Sequence, residues 1–476
     1  MSPMLLKAYH ALPPVARSVV ASARGYQLRR WRYGPQTEAL VQAARERETW
    51  SLDQWHAWQN SRLGSLLQHA SQAVPYYRKQ WQQRRAAGGG GSASVLQAWP
   101  VLSKAVLRRS PRDFLDETAL RPRLRVEHTS GTTGSPLSLW QSRETAQAWY
   151  ALMEARWRGW YGLSRSDRWA ILGGQLVTPI HQQTPPFWVW NAGLHQLYLS
   201  SSHLSAKTCA AYLQALRDHR VSYLWGYASA LYSLALFVDE MKLPPPRLSV
   251  AISNAEPLYQ HQRQLITRVL KCPVRDTYGL CEMVSAASEC EAGRLHLWPE
   301  AGLTEVLRDD SDEPVLPGQT GRLVCTGLLN PNMPLIRYEV GDRGAIAPPG
   351  EKCPCGRTLP ILLSVEGRSD DVIVTSDGRR IGRMDPVFKG DIPMREGQIV
   401  QESLKLIRVL VVPAPDFTAQ HEQVLIDAVR ERVGNIEVRI ERVSAIPRSA
   451  NGKFRAVLSK VGHLPTSLQN QPPENG

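Results

Sequence analysis

A loop rich in hydroxyls and glycines is the part of this sequence with the clearest capacity for chemistry. It reads Thr129-Ser130-Gly131-Thr132-Thr133-Gly134-Ser135-Pro136 and follows the strand-like run Leu124-Arg125-Val126. Glycines permit tight turns and close approach of the backbone to a ligand. Successive backbone amides and hydroxyls can then surround phosphate oxygens. A Walker loop is excluded because this loop contains no lysine. The alternative interpretation is a polar surface turn.

Four further segments with reactive side chains follow this loop in a fixed order. They are Asp276-Thr277-Tyr278-Gly279-Leu280-Cys281-Glu282, Ile336-Arg337-Tyr338-Glu339-Val340-Gly341-Asp342, Gly367-Arg368-Ser369-Asp370-Asp371 and Pro447-Arg448-Ser449-Ala450-Asn451-Gly452-Lys453. They offer an aromatic ring with a carboxylate, a second acid after a glycine, an arginine, and a lysine on a loop. Each segment alone is common in proteins, and Asp342, Tyr278 or Lys453 could be structural residues. The complete set in this order is what indicates a nucleotide site.

A second group of residues has the composition of a metal site. The seven cysteines do not suggest a disulfide scaffold in a chain of this length. The pairs Cys290-x5-His296 and Cys353-x-Cys355 supply three thiolates and an imidazole, which suit tetrahedral Zn²⁺ in a closed structural site. The alternative is unpaired thiols beside a surface histidine. Of the other cysteines, Cys281 is a spare candidate ligand, and three are expected to be small core residues: Cys209, Cys272 and Cys325.

With these five segments, the sequence resembles the adenylate-forming superfamily of acyl-CoA synthetases, adenylation domains and luciferases. The branch it resembles most is that of the phenylacetate–CoA ligases, which includes members associated with capsular polysaccharide. The resemblance extends from about Trp55 to Arg455. It is carried also by Val74-Pro75-Tyr76-Tyr77-Arg78, Pro100-Val101-Leu102-Ser103-Lys104, Asn330-Pro331-Asn332-Met333-Pro334-Leu335-Ile336-Arg337-Tyr338 and Cys353-Pro354-Cys355-Gly356-Arg357. It implies that ATP and Mg²⁺ activate a carboxylic acid as an acyl-adenylate, which is then transferred to the thiol of CoA. Zinc sites similar to the one predicted above occur in parts of this branch.

The resemblance also implies a role for each predicted site residue. The loop Thr129, Ser130, Gly131, Thr132, Thr133 and Gly134 would hold the β- and γ-phosphates, and Glu282 would hold Mg²⁺. Thr277, Tyr278 and Gly279 would lie on one side of the adenine, with Asn254, Ala255, Glu256 and Pro257 opposite. Asp342 and Arg368 would contact the ribose. Lys453 would bridge the acid and the α-phosphate, stabilising the charge that develops during attack.

Further residues are expected to control movement and substrate choice. Asp370 occupies the hinge position of the superfamily, and the loop around Gly378 would line the thiol tunnel after the C-terminal domain swings. Trp225 and Tyr227 are expected to shape the acid pocket. Cys281 departs from the Ser or Thr usual before the Mg²⁺ glutamate, which removes a hydroxyl donor to phosphate. Leu137 stands where many members carry a lysine, although the resembling branch often lacks it.

Length and composition predict a multidomain α/β protein. A chain of 476 residues is longer than the length at which a single hydrophobic core stops growing, so two or more domains are expected. We predict an N-terminal helical region (1–84), a large ATP- and acid-binding domain (85–366), a small mobile α+β lid (367–462) and a disordered tail (463–476). Strand-like runs alternating with helices from about 140 to 365 favour mostly parallel strands. The fold class is therefore α/β, with a large adenylate-forming domain of several subdomains and a small C-terminal domain.

The net charge of +14 raises the question of polyanionic partners. No nucleic-acid-binding module is present, so nucleic acid is not expected as a partner. Six cations in the first 32 residues accompany apolar residues and could form a basic segment resting on an anionic leaflet. The alternative is a helical pair packed on the main domain. No apolar run is long enough to span a bilayer, and Pro13, Pro14 and Arg17 interrupt any signal-like stretch. The expected location is cytoplasmic, with the membrane-peripheral option open.

Three functions remain compatible with the sequence, and the oligomeric state is open. The first is an acid–thiol ligase acting on a carboxylic acid, ATP and CoA. The second is an adenylyl or acyl transferase of capsule or exopolysaccharide biosynthesis that works without CoA. The third is a degenerate, non-catalytic nucleotide-binding protein. Glu282, Asp342, Arg368 and Lys453 argue against the third, while Cys281 keeps it open.

Overall fold

A computed structural model describes most of the chain. The described residues are 3–86, 95–129, 137–255, 258, 260–308, 310–366, 373–377, 379–381, 384–388, 392–444, 446 and 457–461. The helices are α1 (Pro3–His10), α2 (Pro14–Arg32), α3 (Thr37–Glu46), α4 (Leu52–Ala73), α5 (Pro75–Ala86), α6 (Lys104–Arg109), α7 (Arg143–Met153), α8 (Ala206–Asp218), α9 (Ala228–Glu240), α10 (Gln260–Leu270) and α11 (Ala419–Val433).

The strands alternate with these helices only in the middle of the chain. They are β1 (Arg125–His128), β2 (Ser138–Gln141), β3 (Trp169–Gly173), β4 (Trp188–Asn191), β5 (Gln196–Ser200), β6 (Tyr223–Tyr227), β7 (Val250–Asn254), β8 (Val274–Gly279), β9 (Ala286–Glu289), β10 (Leu295–Leu297), β11 (Gly302–Leu307), β12 (Gly321–Gly327), β13 (Tyr338–Ile346), β14 (Ile361–Glu366), β15 (Ile373–Val374), β16 (Arg380–Ile381), β17 (Met394–Ser403), β18 (Leu406–Pro413), β19 (Glu437–Arg442) and β20 (Val457–Ser459).

The N-terminal helices form where caps and an apolar stripe coincide. Ser51 and Gln54 make a reciprocal capping box at the start of α4, with bonds of 3.3 and 2.9 Å. The buried residues of α4 recur at helical spacing: Trp55, Leu63, Leu66, Leu67 and Ala70. The segment Pro75-Tyr76-Tyr77 predicts the end of this helical stretch, but Pro75 instead starts α5, where its missing amide has no helical partner to lose.

One twelve-stranded sheet dominates the described residues, in the order β11-β12-β13-β14-β10-β9-β8-β7-β6-β3-β5-β4. Only β5, β3, β6, β7 and β8 are parallel to one another. The pairs from β8 to β11, and the β4–β5 pair, are antiparallel. The expectation of mostly parallel strands was therefore wrong beyond β8, where short connections replace the helical crossovers that parallel strands require.

The parallel strands are buried on both faces, as their apolar sequences predict. A core containing Leu172, Leu224 and Ala251 lies under α8, α9 and α10. The opposite face packs a tryptophan-rich core around Trp225. Because parallel strands end at the same edge, the carboxyl ends of β6, β7 and β8 lie side by side, which brings Tyr227 next to Asn254 in register. This edge is where an open α/β sheet binds ligands.

The C-terminal part has a sheet and a core of its own. Strands β19-β18-β17-β20 form one sheet, and a separate core gathers residues such as Phe388, Ile399, Val409 and Leu425. The apolar pattern predicts strands over 404–412 and 436–443 and a helix over 419–432, and these elements are confirmed. The glycine-rich segment 88–92, which the sequence predicts to be a flexible connector, lies outside the described residues, as do the predicted boundary at 367–371 and the tail 463–476. The domain limits therefore stay predictions.

Within the described ranges, the apolar stretches of the helices are too short or too polar to cross a bilayer.

Candidate active site

Several predicted site residues lie outside the part of the chain that the structure describes. They are Ser130, Gly131, Thr132, Thr133, Gly134, Glu256, Pro257, Arg368, Asp370, Gly378 and Lys453. Their roles stay predictions. The remaining predicted residues can be located, and most of them lie along the carboxyl edge of β6, β7 and β8 or on strand β13 beyond it.

The ring of Tyr278 and the carboxylate of Asp342 meet although 64 positions separate them. The Tyr278 hydroxyl donates to Asp342 Oδ2 at 2.9 Å. A bulge makes this possible, since Val340 to Asp342 lie opposite Leu323 alone and Gly341 adopts a φ of 87°, which favours glycine. Burial, and secondarily the Asp342 carboxylate, raises the pKa of Tyr278 well above its ordinary value. Tyr278 is therefore a permanent donor at neutral pH.

Glu282 is held by two residues that the sequence analysis did not name as site residues. Tyr338 donates to Glu282 Oε1 at 3.0 Å, and Lys104 Nζ lies 3.4 Å from the same oxygen. Glu282 Oε2 makes no hydrogen bond to any other described residue. Lys104 starts α6, which Ser103 caps, and the adjoining Leu102 pairs with β13. The only signal in the sequence was that Lys104 ends one of the resemblance segments and that Tyr338 lies four residues before Asp342.

The neck of the glycine loop lies beside this group. The Thr129 hydroxyl accepts from the Leu137 amide at 2.9 Å, while the Thr129 amide donates to Leu137 O at 3.1 Å. These bonds close the two ends of the loop. Cys281 Sγ lies 3.8 Å from His128 O, so the segment that carries Glu282 touches the base of the loop. The structure thereby brings the first two predicted segments together.

Three site segments contain backbone that is strained for residues other than glycine. Ala255, Met283 and Arg337 have φ values of 64°, 56° and 45°. Such conformations cost about 1–3 kcal/mol each and persist where surrounding contacts hold them. Arg337 is held by two bonds to Glu305 at 3.1 Å and one to Trp99 O at 3.0 Å. Positive φ also occurs at His195, Arg220, Lys242 and Lys271, outside the site segments, so these values by themselves do not mark a functional site.

The predicted acid-pocket residues differ in their surroundings. Trp225 is buried and packs edge-on against Trp157 at 4.8 Å, so its ring belongs to the core. With its amide oriented to satisfy both partners, Asn254 donates to Gly226 O at 2.9 Å and accepts from Trp225 Nε1 at 3.2 Å. Tyr227 is half-buried at the end of β6, where a ligand could reach it. These positions favour Tyr227 over Trp225 as a pocket wall.

The half-buried Asp276 and the buried Glu289 form an acidic pair at the start of the Tyr278 segment. The Asp276 amide donates to Glu289 Oε2 at 2.8 Å, and Arg263 contacts both oxygens of Glu289 at 2.9 and 2.7 Å. Burial, with the nearby Glu289 carboxylate, raises the pKa of Asp276 to about 7. Thr277, which is also buried, donates its hydroxyl to Ser253 O at 2.7 Å and so joins β8 to β7.

The four predicted metal ligands converge. The ligand atoms of Cys290, His296, Cys353 and Cys355 all lie within 4.8 Å of one another. Cys290 Sγ is 3.7 Å from Cys353 Sγ, and Cys355 Sγ is 3.5 Å from His296 Nε2. Zinc–sulfur bonds of about 2.3 Å and zinc–nitrogen bonds of about 2.0 Å place tetrahedral ligand atoms roughly 3.5–3.8 Å apart. The Cys290–Cys353 and Cys355–His296 distances match that spacing, and the other pairs lie within 4.8 Å.

Comparison with known proteins agrees with this arrangement. The sequence family described as the CapK C-terminal domain matches residues 373–460. Protein CapK of Staphylococcus aureus is 21% identical over 472 residues, covering 96% of this chain and 100% of that protein. A phenylacetate-coenzyme A ligase of Thermus thermophilus is 25% identical over 455 residues, covering 87% of this chain and 98% of the relative. These relatives confirm the resemblance of the chain to the branch of the adenylate-forming superfamily that contains CapK and the phenylacetate-CoA ligases, as its motifs predicted.

Solved structures confirm the predicted fold. A crystal structure of 2-hydroxyisobutyryl-CoA ligase with 2-HIB-AMP and CoA in the thioesterification state matches with a TM-score of 0.55. The identity is 21%, and the match covers 87% of this chain and 91% of that one. The predicted fold class is thus confirmed, and the prediction of an adenylate-forming ligase is confirmed at the level of the family.

Proposed function

We propose that this protein activates a carboxylic acid with ATP as an acyl-adenylate, releases pyrophosphate and transfers the acyl group to the thiol of CoA. The observation that carries the proposal is the convergence of Tyr278, Asp342 and Glu282 beside the neck of the glycine loop. An aromatic ring, a ribose-binding acid and a metal-binding acid are the side chains that a bound nucleotide requires. The family relatives named phenylacetate-CoA ligases support the thioester product.

Glu282 fits the magnesium role. Mg²⁺ is usually bound by one or two carboxylates together with substrate phosphates. The bonds from Tyr338 and Lys104 use Oε1 and orient the carboxylate, which leaves Oε2 for the metal. A bound Mg²⁺ would neutralise charge on the departing pyrophosphate. The Lys104 ammonium group can then offset part of the negative charge that the Glu282 carboxylate and a bound triphosphate bring together.

Asp342 and Tyr278 fit the nucleoside. A buried carboxylate accepts hydrogen bonds from vicinal ribose hydroxyls, and the donor bond from Tyr278 fixes its orientation. The same bond sets the plane of the Tyr278 ring, against which the adenine would lie. Tyr227, at the neighbouring strand end, is the residue we assign to the acid pocket. Its half-buried ring supports a flat or apolar acid.

We also propose that Cys290, His296, Cys353 and Cys355 hold a structural zinc ion. His296 Nδ1 donates to Leu359 O at 3.0 Å, which leaves Nε2 unprotonated and directed at the thiol of Cys355. The four ligands leave no position for a substrate, so the metal would have no part in the reaction. It would tie the β9–β10 hairpin to the loop before β14.

A transferase of polysaccharide biosynthesis is the second candidate. Its support is the resemblance of the sequence motifs to branch members associated with capsular polysaccharide, and the chain is similar to CapK over almost its whole length. The two candidates share the adenylate and differ in the acceptor. Pyrophosphate exchange driven by a panel of aryl, alkyl and sugar acids would identify the acid. AMP release with and without CoA would then separate the acceptors, since release that CoA does not accelerate favours the transferase.

The role of Lys453 provides the sharpest test of catalysis. Lys453→Ala should abolish acid-dependent pyrophosphate exchange while ATP still binds, because this lysine would stabilise charge only as the adenylate forms. Lys460, an exposed lysine paired with Glu402 at 2.6 Å, supplies the control Lys460→Ala. Near-normal exchange by the Lys453 variant would refute the assignment. Absence of exchange in the parent protein with every acid would refute the proposed function.

A further inference from the structure

The outward face of the first two helices carries an unusual concentration of exposed apolar side chains. Six of the thirteen large apolar residues that are exposed among the described residues lie in the first 26 positions. They are Met4, Leu5, Val15, Val19, Val20 and Tyr26. Met4, Val15 and Val19 are 79%, 77% and 64% exposed. We call this surface the α1/α2 face. Monomeric proteins seldom gather exposed apolar residues in this way unless the patch binds something.

The exposed apolar residues of α2 do not belong to the side of this helix that packs against the rest of the protein. The inner side of α2 lies on the edge strand β4, where Gly25 and Gly193 allow close contact between backbones. Ser22 donates to Trp190 O at 3.4 Å and accepts from the Ala192 amide at 3.0 Å. Arg17, which is buried, donates to Gln182 at 2.9 Å. The helix is therefore held against the protein, while Val15, Val19 and Tyr26 remain exposed.

The charge of the α1/α2 face is predominantly positive. Glu38 is the first acidic residue of the chain, and besides the inward Arg17 five cations precede it: Lys7, Arg24, Arg29, Arg30 and Arg32. Glu127 is an acid close to Arg24. Apolar side chains flanked by an excess of arginines are the composition of helices that lie in the interface of an anionic membrane. An apolar partner protein would not need this charge, and a nucleic acid would not need the valines.

A groove at the carboxyl end of α2 adds a site for a headgroup. It has a volume of about 670 Å³ and is lined by Tyr26, Arg29, Arg30, Tyr33 and Arg165. Arg165 is already paired with Glu38 and Glu154. Arg29 and Arg30 have no acidic partner among the described residues, so their guanidinium groups are available to phosphate oxygens.

We propose that the α1/α2 face docks this protein onto a leaflet that contains anionic phospholipid. Val15, Val19 and Tyr26 enter the boundary between headgroups and acyl chains, and the groove beside Arg29 and Arg30 receives a lipid phosphate. The attachment is peripheral and reversible, and it is independent of the reaction at the carboxyl edge of the sheet. Its consequence is that the enzyme acts next to a membrane surface.

Cosedimentation of the full chain with vesicles tests the proposal. Vesicles of phosphatidylcholine with phosphatidylglycerol should bind the protein, vesicles of phosphatidylcholine alone should not, and added salt should weaken binding. Each cation near an anionic surface strengthens binding about fivefold, so Arg29→Glu with Arg30→Glu should weaken it by at least tenfold. Val15→Ser with Val19→Ser should weaken it by a similar factor through lost apolar insertion.

Matched controls come from exposed residues elsewhere on the protein. Arg308→Glu with Arg439→Glu changes the net charge equally, and Leu316→Ser with Val424→Ser removes two apolar groups that are also exposed, at 69% and 46%. Both controls should bind vesicles like the parent, at equal melting temperatures. Equal binding to neutral and anionic vesicles, or equal losses in the controls, would overturn the proposal. A second result would also overturn it: a parent protein that is dimeric and binds no vesicles, together with a Val15/Val19 variant that is monomeric. That result would assign the face to a second copy of the chain.

Discussion

At the scale of single residues, the orientation of the Glu282 carboxylate depends on the Tyr338 hydroxyl, which takes no part in the proposed reaction. Tyr338→Phe removes the 3.0 Å bond that orients the carboxylate and leaves only Lys104. We expect about 1 kcal/mol lower stability and a several-fold higher Mg²⁺ concentration for half-maximal pyrophosphate exchange. Tyr212→Phe is the control, because its hydroxyl is also buried and donates to Ser200 O at 2.6 Å. Unchanged Mg²⁺ dependence in the Tyr338 variant would contradict the orienting role.

Asp276 makes the stability of the protein depend on pH. Its pKa is raised to about 7 by burial and by Glu289, so between about pH 4 and 7 the folded state binds more protons than the unfolded state. The contribution of this carboxyl group to the free energy of unfolding is therefore fully present below the pKa that it has in the unfolded chain. It is lost as the pH rises to 7. Asp276→Asn, which keeps an oxygen for the Thr277 amide, should be more stable than the parent by on the order of 1–3 kcal/mol at pH 8.

Urea unfolding at several pH values checks this prediction for Asp276. The difference in unfolding free energy between variant and parent should grow from pH 4 to 7 and remain constant above. A difference that does not change with pH would show that the carboxyl group is not the source.

At the scale of elements, runs of apolar residues in the sequence predicted the positions of the buried parallel strands well. Trp169–Leu172 and Leu248–Ile252 match strands to within two residues, because parallel strands buried on both faces must be continuously apolar. The antiparallel half was missed, since strands as short as Leu295–Leu297 leave too few residues for a periodic signal.

The candidate site could be predicted from the sequence only where side-chain chemistry marked it. Tyr278, Glu282 and Asp342 were found by residue type, whereas Lys104 was not, because α6 reaches Glu282 through a pairing of Leu102 with β13. The Val340–Asp342 bulge is likewise set by sheet register and not by local sequence. Contacts distant along the chain are the part that residue patterns do not encode.

The proposed zinc site acts at the scale of elements, because it would join the β9–β10 hairpin to the loop before β14. Arg357, beside the ligand loop, bonds Glu48 and Glu291 at 3.1 and 2.7 Å and lies 4.3 Å from the ring of Trp160. The cluster thus anchors the N-terminal helices to the sheet. Metal analysis of gently purified protein should find one zinc per chain, and Cys353→Ser should lose it and melt several degrees lower.

A matched control for the zinc prediction is Cys272→Ser, a buried thiol of another core. It should lose some stability while keeping the metal. Purified protein without zinc, or a Cys353 variant that retains it, would contradict the assignment.

At the scale of the whole molecule, the C-terminal part rests on the carboxyl edge of the large sheet. Arg432 of α11 donates to Gly174 O at 2.9 Å, just beyond β3, and Arg379 donates to Ser202 O, just beyond β5. Gly174 also adjoins Tyr227, the proposed pocket wall. A lid over the site would have to make contacts at this edge, and these two arginines supply them.

Arg432→Ala should therefore change the balance between the two half-reactions. A hydrogen bond from a charged group contributes about 1.5–3 kcal/mol, so its loss should reduce the population of the described position of the C-terminal part roughly tenfold or more. The half-reaction that needs this position should slow by that factor, while the other should not slow. Stopped-flow measurement of acyl-adenylate formation and of thioester formation would separate them. Arg442→Ala, whose arginine pairs with Glu422 inside the C-terminal part at 2.7 Å, should leave both rates unchanged. Equal slowing of both half-reactions by Arg432→Ala would mean that this contact stabilises the fold and does not select a lid position.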